Sequence, residues 1–224
     1  MDTVGVHKLN PKARLFSTRS SSALLRILRD KNTPCREFAK AADRLCHLLG
    51  EEALASIVED ESPTKIETPC GIAMIATRFV NEEDIVIVDI MRSGAILAER
   101  IRNLVPGAAT AKILIQRNEE TAEPILMYSK LPNNLEHRYI LLADPMLATG
   151  GSACKAIEVL VHAGARQENI FFANVITCPQ GLQRLAKEAP NVRILTMAID
   201  DCLNERAYIC PGLGDFGDRF YGTC

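Results

Sequence analysis

A chain of 224 residues with 47% hydrophobic residues can bury one substantial core, so a single domain spanning residues 1–224 is the default expectation. Because 26 Lys and Arg are balanced by 28 Asp and Glu, no excess of positive charge favours a nucleic acid or an anionic membrane as the partner. No apolar run approaches the length of a membrane span, and a small polar ligand is therefore favoured.

The eight cysteines form no C-x-x-C pair and follow no recognisable signal peptide, which predicts a reduced, cytoplasmic setting. The four histidines do not lie at zinc-ligand spacing from each other or from the cysteines, so we predict no protein-bound metal site. Residues 14–22 (RLFSTRSSS) share the Arg and Ser content of a transit peptide, but a frayed N-terminus is the favoured interpretation. Organelle targeting stays open.

The first predicted elements are a helix and a hairpin. Between residues 35 and 58, apolar residues recur three or four positions apart, as on one face of an amphipathic helix. Residues 65–68 and 71–77 then flank the turn Pro69-Cys70-Gly71, which predicts a β-hairpin.

From residue 85 onward, strands alternate with helices, which predicts right-handed crossovers and an α/β fold with a parallel, Rossmann-like central sheet flanked by helices. Ligands bind such sheets at the carboxyl ends of the strands, here the turns after Ile90, Ala143 and Ile199. Charges, Pro124 and a short apolar patch predict that residues 117–132 form a flap that leaves the main sheet. The predicted strands are 85–90, 112–116, 139–143, 170–177 and 193–199, and the predicted helices are 95–104, 153–163 and 180–188.

The loop between the strand at 139–143 and the helix at 153–163 carries the most specific signal in the chain. It consists of Asp144, Pro145, Met146, Leu147, Ala148, Thr149, Gly150, Gly151 and Ser152. Its glycines, hydroxyls and following helix N-terminus suit a phosphate, while the Asp144 carboxylate would repel phosphate but accept hydrogen bonds from ribose hydroxyls. Thr-Gly-Gly-Ser alone would equally suit an ordinary connection with an N-cap serine.

Taken whole, the loop resembles the sugar-phosphate loop of the uracil phosphoribosyltransferases, a family of the type I phosphoribosyltransferase superfamily. The resemblance extends from the Leu28-Arg29-Asp30-Lys31-Asn32-Thr33 segment to Tyr221-Gly222-Thr223. The superfamily loop usually has a second acidic residue where this chain has Pro145, and the uracil enzymes resemble this chain in that replacement. The resemblance implies transfer of the phosphoribosyl group of phosphoribosyl pyrophosphate (PRPP) to uracil, giving UMP and pyrophosphate.

The same resemblance implies roles for two arginines. Arg92, in Met91-Arg92-Ser93-Gly94 directly after a strand, can point into the cleft of Asp144 and offers paired donors to a pyrophosphate. Arg117 begins the flap and would close over the pyrophosphate. Family members commonly have an acidic residue where this chain has Asn118, and neither Lys130 nor Asn118 is assigned a role.

Residues 208–221 concentrate four aromatics and three glycines. Gly212, Gly214 and Gly217 spell G-x-G-x-x-G, but a dinucleotide motif should open a helix and precede an acidic residue about 20 positions later, and only seven residues follow Gly217, so a dinucleotide site is rejected. A glycine-rich wall can instead match the carbonyl and N–H edge of uracil with main-chain groups. By resemblance, the uracil-binding residues are Tyr208, Ile209, Gly214, Asp215 and Phe216.

The predicted catalytic set is therefore Asp144, Arg92, Arg117 and Asp215, with Asp215 near the ribose or the magnesium waters and also the candidate base. Mg²⁺ would be bound mainly through PRPP. The resemblance further implies a homodimer or homotetramer, GTP activation in some members, an N-terminal arm (1–34) and a base-binding hood (200–224). The alternatives are a phosphoribosyltransferase for another base and a non-catalytic nucleotide sensor.

Overall fold

The centre of the molecule is an eight-stranded sheet whose inner strands are runs of buried, mostly apolar residues. The computed structural model describes residues 3–58, 63–117 and 123–223. Its helices are α1 (Thr3–Leu9), α2 (Arg19–Arg29), α3 (Cys35–Val58), α4 (Gly94–Leu104), α5 (Gly151–His162), α6 (Pro179–Glu188) and α7 (Phe216–Tyr221). Its strands are β1 (Ala13–Leu15), β2 (Thr64–Glu67), β3 (Ala73–Ala76), β4 (Ile85–Met91), β5 (Ala109–Arg117), β6 (Pro124–Lys130), β7 (Tyr139–Ala143), β8 (Met146–Leu147), β9 (Ile170–Thr177), β10 (Arg193–Ile199), β11 (Cys202–Leu203) and β12 (Ile209–Cys210).

The strand order is β1-β10-β9-β7-β4-β5-β6, and β8 adds to β9. All neighbours in this sheet are parallel except β5 and β6. Alternate residues of β4 enter opposite layers: Ile85 and Ile87 pack with α3 and α4, whereas Val86 and Val88 pack with α5. Burial on both faces explains why β4 lacks the polar alternation of a half-exposed strand, and the predicted α/β class is confirmed.

Most predicted elements are present with boundaries shifted by a few residues at most. The helix α3 spans the predicted residues, and β2 and β3 form the predicted antiparallel hairpin. The helix that follows the loop at Asp144 begins at Gly151, two residues earlier than predicted. No helix among the described residues is long and apolar enough to cross a membrane.

Two predictions are wrong. Residues 14–22 are not a frayed N-terminus, since they form the end of β1 and the start of α2, where Thr18 and Ser21 make a reciprocal capping box. The described part of the 117–132 segment does not leave the main sheet, because β6 pairs antiparallel with β5 at its edge. The bonds to β5 satisfy one row of β6 backbone groups, which an excursion would leave unpaired.

The N- and C-terminal segments pack on each other. Arg219 donates to the carbonyl oxygens of Leu28 and Asp30, and the rings of Phe38 and Phe216 meet edge to face at 5.4 Å. The division of the chain into an arm, a flap and a hood within one domain stays a prediction.

Candidate active site

The first half of the loop after β7 is bonded to β9. The Asp144 amide donates to the carbonyl oxygen of Ala173, and the Pro145 carbonyl accepts from the amides of Val175 and Ile176. The next two residues form β8, which continues this parallel pairing. The loop is therefore a rigid extension of the sheet, although the sequence shows it only as a connection.

The second half of the loop is held by the start of α6. The Thr177 hydroxyl donates to the carbonyl of Leu147 at 2.9 Å, and the Cys178 thiol donates to that of Ala148 at 3.3 Å. A Cβ on Gly181 would lie 2.7 Å from the Ala148 carbonyl oxygen, so only glycine permits this contact. Gly150 precedes α5, and the first-turn amides of that helix are the donors that an anion would use.

Asp144 lies where the loop meets the turn after β4. Its carboxylate accepts from the Met146 amide and the Ser93 hydroxyl, both at 3.3 Å on Oδ1. A Cβ on Gly94 would lie 2.4 Å from the Ala143 carbonyl oxygen, so glycine is needed where α4 begins beside Asp144. The turns after Ile90 and Ala143 are thus brought together, as the sheet topology predicts.

Burial raises the pKa of Asp144 to about 7, and the nearby Asp215 carboxylate adds to the increase. The hydrogen bonds from Met146 and Ser93 oppose the increase, because they stabilise the charged form. Asp144 is therefore only partly ionised at neutral pH in the free protein, and a ligand that donates hydrogen bonds to it would favour its ionised form.

This pKa predicts that a ribose ligand binds more weakly in acid. Since the protonated carboxyl loses acceptor capacity, PRPP affinity should fall towards the limit of about 10-fold per pH unit below pH 7. Isothermal titration calorimetry of PRPP between pH 5.5 and 8.5 measures this effect. The control is Asp144→Asn, whose remaining pH dependence belongs to the phosphates of PRPP. Equal slopes for both proteins would contradict the assignment.

Asp144 opens onto a cavity of about 460 Å³ that joins the loop to the C-terminal segment. From the predicted loop, the residues that line this cavity are Asp144, Met146, Ala148 and Ser152. From the predicted base pocket, they are Tyr208, Ile209, Gly214, Asp215 and Phe216. Pro145, Leu147 and Gly150 are buried behind the wall. The structure therefore brings together residues about 65 positions apart that the sequence analysis assigned to one site.

Arg92 lies at the rim of the cavity instead of in its wall. Its guanidinium donates to the Asp218 carboxylate and, at 3.2 Å, to the Thr223 hydroxyl. It also lies 5.7 Å from the centre of the Tyr221 ring. Its pyrophosphate role stays a prediction. The side chain of Arg117 and residues 118–120, including Asn118, lie outside the described part of the chain.

Asp215 has a second role that the sequence analysis missed. Its carboxylate accepts from the Asp218 amide at 2.8 Å and so caps α7. Because the cap fixes the carboxylate against main chain, Asp215 is better suited to hold the wall in place than to move as a base. Ser93 and Gly181 were also missed; a hydroxyl beside a strand end and a glycine in a first helical turn are weak signals alone.

The sheet with its flanking helices, and a cavity at the carboxyl ends of the strands, define an α/β fold, and a solved structure of the same fold is adenine phosphoribosyl transferase from Trypanosoma brucei. That structure covers 77% of this chain and 69% of its own, with a TM-score of 0.50 and 14% identity. The chain belongs to the uracil phosphoribosyltransferase family, which it matches over residues 15–223.

Individual relatives agree with this assignment. Uracil phosphoribosyltransferase 1 from Schizosaccharomyces pombe is 43% identical over 93% of this chain and 94% of its own. Uracil phosphoribosyltransferase from Dictyostelium discoideum is 41% identical over 93% and 95%. Among solved structures, the AQ2163 protein from Aquifex aeolicus covers 93% of this chain and 97% of its own, with a TM-score of 0.79 and 32% identity.

Proposed function

We propose that this chain is an active uracil phosphoribosyltransferase. Uracil N1 forms a bond to the anomeric carbon of PRPP, the bond from that carbon to pyrophosphate breaks with its electron pair leaving on pyrophosphate, and the N1 proton passes to the departing pyrophosphate or to water, which gives UMP. The observation that carries the proposal is the shared cavity, which is lined by Asp144 from the loop and by residues 208–209 and 214–216 from the C-terminal segment.

The sugar-phosphate side of the cavity would hold PRPP. The loop from Asp144 to Ser152 would cradle the 5-phosphate with the first-turn amides of α5 and the Ser152 hydroxyl, while Asp144 accepts from the ribose hydroxyls. Arg92 at the rim, together with Arg117, would stabilise the charge that develops on the departing pyrophosphate.

The base side would recognise uracil without a charged contact. Gly214, Asp215 and the buried Phe216 line the cavity, and their main-chain groups would meet the edge of the base. Uracil presents acceptors where cytosine presents an amine, so main-chain amides there would leave cytosine with an unpaired donor. Catalysis would then rest on positioning and charge stabilisation, with little covalent help from the protein.

Mg²⁺ fits this site as a PRPP-bound ion. Two carboxylates line the cavity, Asp144 and Asp215, and a small hard cation that keeps several waters needs few protein ligands when phosphates supply the rest. Among the described residues, no group of three or more His, Cys, Asp or Glu is arranged to hold a metal ion. When bound, the ion would neutralise part of the pyrophosphate charge.

We also propose a homodimer or homotetramer. Ile66, Ile72, Met74, Ile75 and Phe79 are exposed on and around the β2–β3 hairpin, and such apolar patches are typical of interfaces. Light scattering after size exclusion tests the assembly. GTP activation and a cytoplasmic location are carried over from the sequence analysis alone, and UMP formation with and without GTP tests the first.

A panel of bases tests the proposed function. With PRPP and Mg²⁺, uracil should give UMP, whereas cytosine should react about 10⁴-fold less efficiently because a buried donor is left unpaired. Adenine, hypoxanthine and orotate should also react far more slowly. Faster turnover of any of these bases than of uracil would contradict the proposal, and PRPP binding without any turnover would favour a non-catalytic sensor.

A further inference from the structure

A buried ion pair lies directly behind the proposed base-binding wall. Arg29, the last residue of α2, donates from both terminal nitrogens to the two carboxylate oxygens of Asp200, at 2.6 and 2.7 Å. Asp200 follows β10 and is only 6% exposed. Neither side chain lines the cavity. The pair joins the N-terminal segment to the strand whose carboxyl end faces the site.

Both residues also bind the main chain of Gly212. The Gly212 amide donates to the Asp200 carboxylate at 2.6 Å, and the Gly212 carbonyl accepts from Arg29 at 2.8 Å. Gly212 is fixed from a third side as well, because a Cβ there would lie 2.0 Å from the Ile209 carbonyl oxygen. The amide and the carbonyl of Gly212 are thus both hydrogen-bonded, the amide to the Asp200 carboxylate and the carbonyl to the Arg29 guanidinium.

The wall begins two residues later. Gly214, Asp215 and Phe216 line the cavity, and the intervening Leu213 carbonyl accepts from Arg219 at 2.6 Å. Arg219 also binds the carbonyls on either side of Arg29, those of Leu28 and Asp30. Arg29 at the end of α2 and Arg219 of α7, which is itself bound to the end of α2, therefore hold the main chain of Gly212 and Leu213, immediately before the residues that would contact the base.

We propose that the Arg29–Asp200 pair is a positioning device that fixes the main-chain donors and acceptors of residues 214–216 for uracil. The inference rests on the proposed function. A buried ion pair adds little net stability compared with apolar residues of similar size, whereas it does fix geometry through its directional bonds. A base read by main-chain groups depends on that geometry, since small displacements weaken every contact together.

Arg29→Lys is the primary test, because lysine keeps the charge but cannot bind both Asp200 oxygens and the Gly212 carbonyl with a planar fork. We expect the KM for uracil to rise about 10-fold, the loss expected for one or two misplaced hydrogen bonds, while the KM for PRPP changes less than about 2-fold. The preference for uracil over cytosine should fall by a similar factor.

The matched control is Arg14→Lys. Arg14 makes a comparable partly buried fork with Glu52 at 2.6 Å and Ser56 at 2.8 Å, far from the cavity. It should leave both KM values at those of the wild type. A thermal melt of each protein measures stability separately, because a merely structural role would lower the melting temperature and the active fraction without changing the KM for uracil.

Asp200→Asn is the second variant. If Arg29→Lys does not fold, the KM values of Asp200→Asn for uracil and PRPP test the positioning role by the same criteria. An unchanged KM for uracil, or an equal rise in both KM values, would overturn the positioning role. A wild-type protein that forms no UMP from uracil would instead contradict the proposed function. The two failures are therefore distinguishable in one set of assays.

Discussion

Replacing Asp144 with asparagine is expected to lower kcat/KM for PRPP by at least about 100-fold, because an amide group would face the ribose hydroxyls with one acceptor oxygen and one donor. The Asn side chain has nearly the same volume, so the fold should be retained. The rate of UMP formation at limiting PRPP measures the effect directly, and circular dichroism establishes folding.

Asp84→Asn is the control for this substitution. Asp84 is exposed at the opposite end of β4, outside the cavity, and its loss of charge should leave the rate unchanged. Near wild-type turnover and PRPP binding by Asp144→Asn would show that another group holds the ribose.

The second large effect is expected from Gly181→Ala. Alanine in a helix is about 1 kcal/mol more favourable than glycine, so α6 alone predicts a more stable protein. The new Cβ would nevertheless lie 2.7 Å from the Ala148 carbonyl oxygen and 2.8 Å from that of Leu147, and one of the two segments must move. Since Ala148 lines the cavity, displacement of the loop should raise the KM for PRPP, on the order of 10- to 100-fold.

Gly50→Ala is the control because Gly50 also lies in a helix, α3, and its Cβ would meet side-chain atoms of Ile101 and Leu104 at 3.2 Å. It should alter stability without altering the KM for PRPP. Equal kinetic constants for Gly181→Ala and wild type would mean that the loop tolerates displacement, contrary to the close packing against α6.

The central strands and α3 could be predicted because the apolar residues that each of them buries form a pattern within a short stretch of sequence. Mostly apolar runs specify β4 and β9, and the three-to-four spacing around Phe38 and Leu45 specifies α3. The loop at Asp144 could likewise be predicted as a ligand-binding loop, because its acidic residue, glycines and hydroxyls lie in one short segment directly after a strand.

Other elements were missed because their signals are weak or distant. The helix α2 begins with Arg19 and three serines, so the composition of its start resembles a loop, although its Thr18–Ser21 cap marked the start and Leu24, Leu25, Ile27 and Leu28 follow. The strand β6 has Ile125 to Tyr128 all exposed, and no alternation distinguishes it from a flap.

The contacts that shape the site join remote positions. Gly181 packs on the loop at Ala148, and Arg29 binds Gly212 across 183 positions of sequence. Such pairs are set by the packing of whole elements, so residue type and local spacing cannot reveal them. For the same reason, the helix-capping role of Asp215 was visible only after α7 was placed.

A crystal structure with uracil and a non-reactive analogue of PRPP would show how the two substrates lie in the cavity. We expect ribose hydroxyls on Asp144, the 5-phosphate at the start of α5, and the uracil edge within hydrogen-bonding distance of main-chain atoms of residues 209–216. Uracil bound elsewhere, or a ribose whose hydroxyls do not reach Asp144, would contradict this expectation.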